Sequence, residues 1–212
     1  MLPGGGGRVA YTVGVLRAIA AMLTEGTRTP FPVICGTSAG AINAASLALA
    51  ARNFHEGVRQ LSAVWENAHV NQAYRSDPIG VFGNVARWLT ALLLGGLGKR
   101  TAVSMLDNSP LLQLLERSLP LHGIQRSIET GALHALGITA WGYTSSQSVT
   151  FYEGADSIAP WKRERRIGIA SRIGVEHLMA SSAIPFFFPA TRLNREYFGD
   201  GNECHMAYHF PL

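Results

Sequence analysis

Apolar positions recur along the first third of the chain with two different periods. Tyr11, Val15, Ile19 and Met22 fall at helical spacing and predict a helix. Phe31-Pro32-Val33-Ile34-Cys35 is a short apolar run with β-branched content and predicts a buried strand. A Gly36-Thr37-Ser38-Ala39-Gly40 turn then leads into residues 41–52, alanine-rich and of high helix propensity. Residues 54–70 place Phe54, Val58, Leu61 and Trp65 on one face of an amphipathic helix. Residues 79–97 are more apolar, and two readings stay open for them: a core or cap helix, or a lid that meets acyl chains at a lipid surface. Ser109 as cap and Pro110 in the first turn start a leucine-rich helix. Residues 138–143 and 149–152 predict strands, and residues 175–183 a helix that stops before Pro185. Tyr197-Phe198-Gly199 predicts a strand that ends in an Asp200-Gly201 turn. Strands alternating with helices predict an α/β fold with a mainly parallel central sheet, in one domain over residues 1–212.

Composition narrows the class. Of 212 residues, 47% are apolar and 15% charged, which suffices for a sizeable core and excludes a disordered chain or a coiled coil. The longest apolar run, residues 88–97, is ten residues long and contains two glycines; a membrane-spanning helix needs about 20. The chain opens without the pattern of a secretory leader, so the expected location is cytoplasmic, with peripheral membrane contact. Cys35 and Cys204 are too few to suggest a disulfide framework, and Cys35 reads as a small core residue. The histidines are scattered, so no metal site and no cofactor are expected. The net charge of +4 is uneven: Lys162, Arg163, Arg165, Arg166 and Arg172 stand against Glu164 in one short stretch. That stretch reads as a solvated loop or as a patch facing phosphate-bearing head groups. Nucleic acid is not an expected partner, because no binding motif accompanies the charge.

The chemistry concentrates at two glycine-rich segments. Gly-x-Ser-x-Gly between a strand and a helix permits the strained turn that lifts a serine hydroxyl out of the sheet, so Ser38 is a candidate nucleophile. The following helix aims its positive N-terminal end at the same place. Gly4-Gly5-Gly6-Gly7, directly before the first helix, offers amides unobstructed by side chains, as an oxyanion needs. For the base the residues leave several choices. Asp156 with His177, or Asp200 with His205 or His209, would follow the usual hydrolase order; Asp200, at a strand end beside Gly201, is the best-placed carboxylate to act directly.

Together these segments resemble the patatin-like phospholipases. Gly4 to Gly7 with Arg8, then Ala10-Tyr11 and Gly14-Val15-Leu16, looks like that family's glycine-rich oxyanion loop, and Gly36 to Gly40 like its nucleophile elbow. His177-Leu178-Met179-Ala180-Ser181-Ser182-Ala183-Ile184-Pro185, followed by Phe188-Pro189, is similar to the segment leading into its Asp-Gly motif, where Asp200-Gly201 stands here. The resemblance implies a three-layer α/β/α domain, short at both ends, with Ser38 as nucleophile and Asp200 as base without a histidine. It implies oxyanion donors at Gly5, Gly6 and Gly7 and a supporting role for Arg8. The implied substrate is a phospholipid or other acyl-ester lipid, and the implied chemistry requires no metal. Two other readings stay open: a histidine-dependent α/β-hydrolase esterase or acyl transferase, and a non-catalytic lipid-binding remnant.

Overall fold

A computed structural model of the chain describes residues 1–4, 8–66, 108–185 and 187–202. Helix α1 (Arg8–Ala21) precedes strand β1 (Val33–Thr37), α2 (Ala39–Leu49) and α3 (Phe54–Glu66). After residue 107 come α4 (Ser109–Ser118), α5 (Gly123–Glu129), β2 (Ala135–Gly142), β3 (Gln147–Gly154), β4 (Trp161–Arg163) and β5 (Arg166–Ala170). The described chain closes with α6 (Val175–Ser181), β6 (Thr191–Leu193) and β7 (Glu196–Asp200). The apolar stretch at 79–97 lies outside the described residues, as do Gly5, Gly6, Gly7, Cys204, His205 and His209.

The seven described strands form one mixed sheet in the order β4-β5-β3-β2-β7-β6, with β1 also paired to β2. Only β1 with β2 and β3 with β5 are parallel; β2–β3, β2–β7, β4–β5 and β6–β7 are antiparallel. The expectation of a mainly parallel sheet is therefore corrected. The reason is local. From Ala135 onward three short turns join successive strands without an intervening helix, and a short turn returns the chain antiparallel. The β1-to-β2 connection, which does carry helices, is parallel as expected.

The core lies on the sheet face that carries Leu136, Ile138, Ala140, Val149, Phe151 and Phe198. Gly36, register partner of Ile138, faces Ala41 and Ala44 of α2; Phe151, the other partner of Ile138, meets the ring of His177 on α6. Both helices thus cover the same face. The opposite face bears Cys35, Thr139 and Thr150, each partly exposed, so the described residues show a single helical layer where three layers in all were expected.

Alanine at 41, 44, 45 and 48 lets α2 lie close on β1, and all four are buried. The amphipathic pattern of α3 holds, with Phe54, Val58 and Leu61 in the core. The helix expected from the spacing of Tyr11, Val15, Ile19 and Met22 is α1, but that spacing does not mark its buried face. Tyr11 is 77% exposed and Met22 projects outward, whereas Val13, Leu16 and Ala20 are buried in the core. Two apolar stripes share this helix, and only packing against α3 decides which turns inward. Asn108, not Ser109, occupies the cap of α4, with Pro110 in its first turn as expected. Four residues of the basic stretch, Lys162, Arg163, Arg165 and Arg166, lie on the β4–β5 hairpin, whose Trp161 stacks on Tyr152, while Arg172 follows β5.

Candidate active site

Ser38 stands between the end of β1 and the start of α2 with φ 56° and ψ −133°. A side chain in this region is strained, and it persists only where the surroundings hold it. Here the Ser38 amide donates to Ser181 Oγ at 2.8 Å, and the Ser38 carbonyl accepts from the Ala41 amide at 2.8 Å. Gly40 is required because the carbonyls of Leu2 and Pro3 occupy the space that a Cβ would take. Leu2 continues the sheet beside β1: its amide donates to the Cys35 carbonyl at 2.7 Å, and its carbonyl accepts from Thr37. Gly4, the last residue described before the glycine run continues, lies against Ser38; a Cβ on it would come within 2.5 Å of both Ser38 Cβ and Asn202 Nδ2.

Asp200 is the last residue of β7, and the sheet register carries it to Ser38. β1 runs parallel to β2 and ends with Thr37 opposite Thr139. β7 runs antiparallel to β2 and ends with Asp200 opposite Ala140. The two strands therefore share one edge of β2 and meet end to end at consecutive positions. Ser38 Oγ donates to Asp200 Oδ2 at 2.7 Å, although 162 residues separate the two in sequence.

Both residues are buried, Ser38 to 7% exposure and Asp200 to 4%. Burial pushes the Asp200 carboxyl above the ordinary aspartate range, because the charged form loses water. Hydrogen bonds from Asn202 and from Ser38 act against that rise; the Asn202 amide reaches Asp200 Oδ1 at 2.8 Å. The outcome is a carboxylate of raised proton affinity in hydrogen-bond contact with a hydroxyl. That pairing can accept a proton as the oxygen attacks an electrophile.

The histidine choices fare differently. His177 is buried on α6, accepts from the Gly174 amide at 3.0 Å through Nδ1, and packs edge-on against Phe151. Burial holds its pKa below the usual histidine value. Asp156 is exposed in the turn after β3, so the Asp156–His177 pair does not form. Arg8 opens α1.

Ser181 is the residue that sequence reasoning passed over. It is fully buried at the end of α6, accepts from the Ser38 amide and donates to the Thr139 carbonyl at 2.6 Å. Its own carbonyl accepts from Gly201, and the neighbouring Ala183 carbonyl accepts from the Asp200 amide at 2.8 Å. The Ser181 side chain thus ties the elbow to β2, and the backbone carbonyls of Ser181 and Ala183 hold the end of β7 beside them. The sole sequence signal was the small-residue run Ala180-Ser181-Ser182-Ala183, which permits close approach without saying to what.

An α/β protein with a serine–carboxylate pair at a strand-to-helix elbow is a serine-hydrolase type of architecture. The chain belongs to the patatin-like phospholipase family, whose sequence description it matches over residues 1–202. Members of that family are typically serine acyl hydrolases, and the family implies lipid acyl-ester substrates. No curated protein and no solved structure matches the chain. Among the described residues, no helix is long and apolar enough to cross a membrane.

Proposed function

We propose that the chain is a lipid acyl hydrolase of the phospholipase A or lysophospholipase type, working through a Ser38–Asp200 dyad in a single domain. The observation that carries this reading is the 2.7 Å hydrogen bond from Ser38 Oγ to Asp200 Oδ2 at a strained elbow. Ser38 Oγ attacks the ester carbonyl carbon while its proton passes to Asp200. The carbonyl oxygen becomes an oxyanion. Donors for it are the Ala39 amide, which has no acceptor within its own helix, and the amides of Gly5, Gly6 and Gly7, with Arg8 supporting that loop. Collapse expels the alcohol portion of the lipid, which takes the proton from Asp200 and leaves an acyl-Ser38 ester. Water, deprotonated by Asp200, then releases the fatty acid and restores Ser38. The position of Gly4 against Ser38 supports an oxyanion role for the glycine run that follows it.

The test is hydrolysis of a p-nitrophenyl ester by wild type, Ser38→Ala and Asp200→Asn, each shown folded by circular dichroism. Each substitution is expected to lower kcat by at least about a thousandfold. An active Asp200→Asn would assign the base to another residue and reopen the histidine-dependent reading. A folded wild type without turnover would leave the lipid-binding remnant.

A further inference from the structure

The end of the sheet that holds the dyad also holds two arginine-bearing hairpins, one on each side. Past Thr139 and Ala140, where Ser38 and Asp200 meet, the register runs from Trp141 to Ser148, Arg166 and Arg163. The β4–β5 turn at Glu164-Arg165 therefore projects from the dyad's end. On the other side β7 passes Gly142 at Phe198, and the β6–β7 turn at Asn194-Arg195 projects from that same end. In the order β4-β5-β3-β2-β7-β6, the two edge strands lie about 24 Å apart with the dyad between them.

Arg163, Arg165 and Arg166 are exposed on the first hairpin, and Arg192 and Arg195 on the second. With exposed Lys162, these five share their hairpins with two acidic residues, Glu164 and Glu196, and Glu196 already accepts from the Ser145 amide. The ion pairs among the described residues lie elsewhere, on α1, α3 and α6. Between the hairpins the β2–β3 turn presents Tyr143, Thr144, Ser145 and Ser146 to solvent. Two further aromatic side chains are exposed near this end: Tyr197, opposite Arg192 on the second hairpin, at 52%, and Phe187, in the loop whose Ala183 carbonyl holds the Asp200 amide, at 50%. The opposite end of the sheet is balanced, with Arg28, Arg52, Arg126 and Arg172 offset by Glu25, Glu129, Glu153 and Asp156. Arg172, part of the same basic stretch in sequence, belongs to that far end and donates to Gln125.

We propose that this rim is a docking surface for an anionic phospholipid bilayer. The two hairpins contact head-group phosphates, and Phe187 and Tyr197 enter the boundary between head groups and acyl chains, so that the dyad faces the lipid. Cationic side chains flanking exposed aromatic ones are the pattern that binds such an interface. The inference rests on the acyl-hydrolase reading for its purpose, but its test does not depend on turnover.

The experiment is co-sedimentation of the full chain, as Ser38→Ala, with phosphatidylcholine vesicles and with phosphatidylcholine–phosphatidylglycerol vesicles. Binding is expected on the anionic vesicles and should weaken as salt rises. At about fivefold per arginine near an anionic surface, neutralising a hairpin's three arginines as R163Q/R165Q/R166Q should lower partitioning on the order of a hundredfold. R192Q/R195Q should lower it about twenty-five-fold. R28Q/R52Q at the far end should leave it unchanged. Equal binding to both vesicle types, or equal losses from near-end and far-end variants, would overturn the proposal. With an otherwise wild-type chain, R163Q/R165Q/R166Q should retain hydrolysis of a short soluble ester while losing hydrolysis of anionic vesicles. If the expected binding pattern appears in a chain that turns over no ester, the surface stands and the hydrolase reading falls.

Discussion

At the scale of single residues, the site depends on a carboxyl group that burial makes reluctant to ionise. A base acts in its ionised form, so the acid limb of the pH–activity profile should lie above the range of an exposed aspartate. A kcat/KM profile on a soluble ester checks this, and an acid limb at an ordinary aspartate value would contradict it. The stability consequence has the opposite sense. The folded state holds the Asp200 proton more tightly than the unfolded chain. The stability this group contributes is therefore fully present below its unfolded pKa and is lost as pH rises through the raised folded value. Asp200→Asn, with no charge to bury, should melt above wild type at neutral pH, with the difference shrinking on acidification. Thermal unfolding followed by circular dichroism at two pH values measures it. Ser181 gives a separate expectation. Ser181→Ala removes the acceptor of the Ser38 amide and the donor to Thr139, and the orphaned groups should destabilise the fold by about 1–3 kcal/mol. Loss of the elbow's alignment should lower kcat about ten- to hundredfold with little change in KM, which steady-state kinetics separates. Ser38 was legible as a candidate from its pentapeptide, and Asp200 as one choice of base from its place beside a turn glycine. Ser181 was not, because its function arises entirely from what it touches.

At the scale of elements, the site exists where two strands end against each other on one edge of β2. Gly201 follows directly, and a Cβ there would press on the Thr139 backbone and come within 2.8 Å of Thr37 Cγ2. Gly201→Ala should therefore force β1 and β7 apart. A loss of about 1–3 kcal/mol is expected, read as a lower urea midpoint at unchanged slope, with a disproportionate loss of activity. Apolar periodicity predicted the elements that pack by one face, such as α3, and the continuous runs of β1 and β2. It did not predict β4, β5 or β6. An edge hairpin rich in arginine presents the composition of a solvated loop, since one side and one edge of it face water. Its strand character comes from backbone bonding to β3, as in the Ser148 amide donating to the Arg165 carbonyl at 2.9 Å. The same omission produced the expectation of a mainly parallel sheet, because unseen hairpins left only strand–helix alternation to count.

At the scale of the whole molecule, the two halves of the dyad differ in how firmly they are held. Ser38 follows β1, which pairs with β2 over five register positions. Asp200 ends β7, which pairs with β2 over three and is flanked by the three-residue β6. An element with so little pairing opens below the free energy of global unfolding. Ester hydrolysis should thus be lost at a lower urea concentration than the far-UV circular dichroism signal; coincident transitions would show that the β6–β7 hairpin unfolds with the rest. By itself the sequence determined the local chemistry: a serine on a glycine-flanked turn, a glycine run before a helix, an aspartate before a turn, and the inward faces of the strongly amphipathic segments. Those follow from backbone sterics and hydrophobic period, which act over a few residues. The tertiary structure alone decided which stripe of α1 is buried and that one basic stretch divides between opposite ends of the sheet. It alone also set a carboxylate 2.7 Å from a hydroxyl 162 positions away, because strand register across β2 is fixed by the packing of the whole core and by no short segment within it.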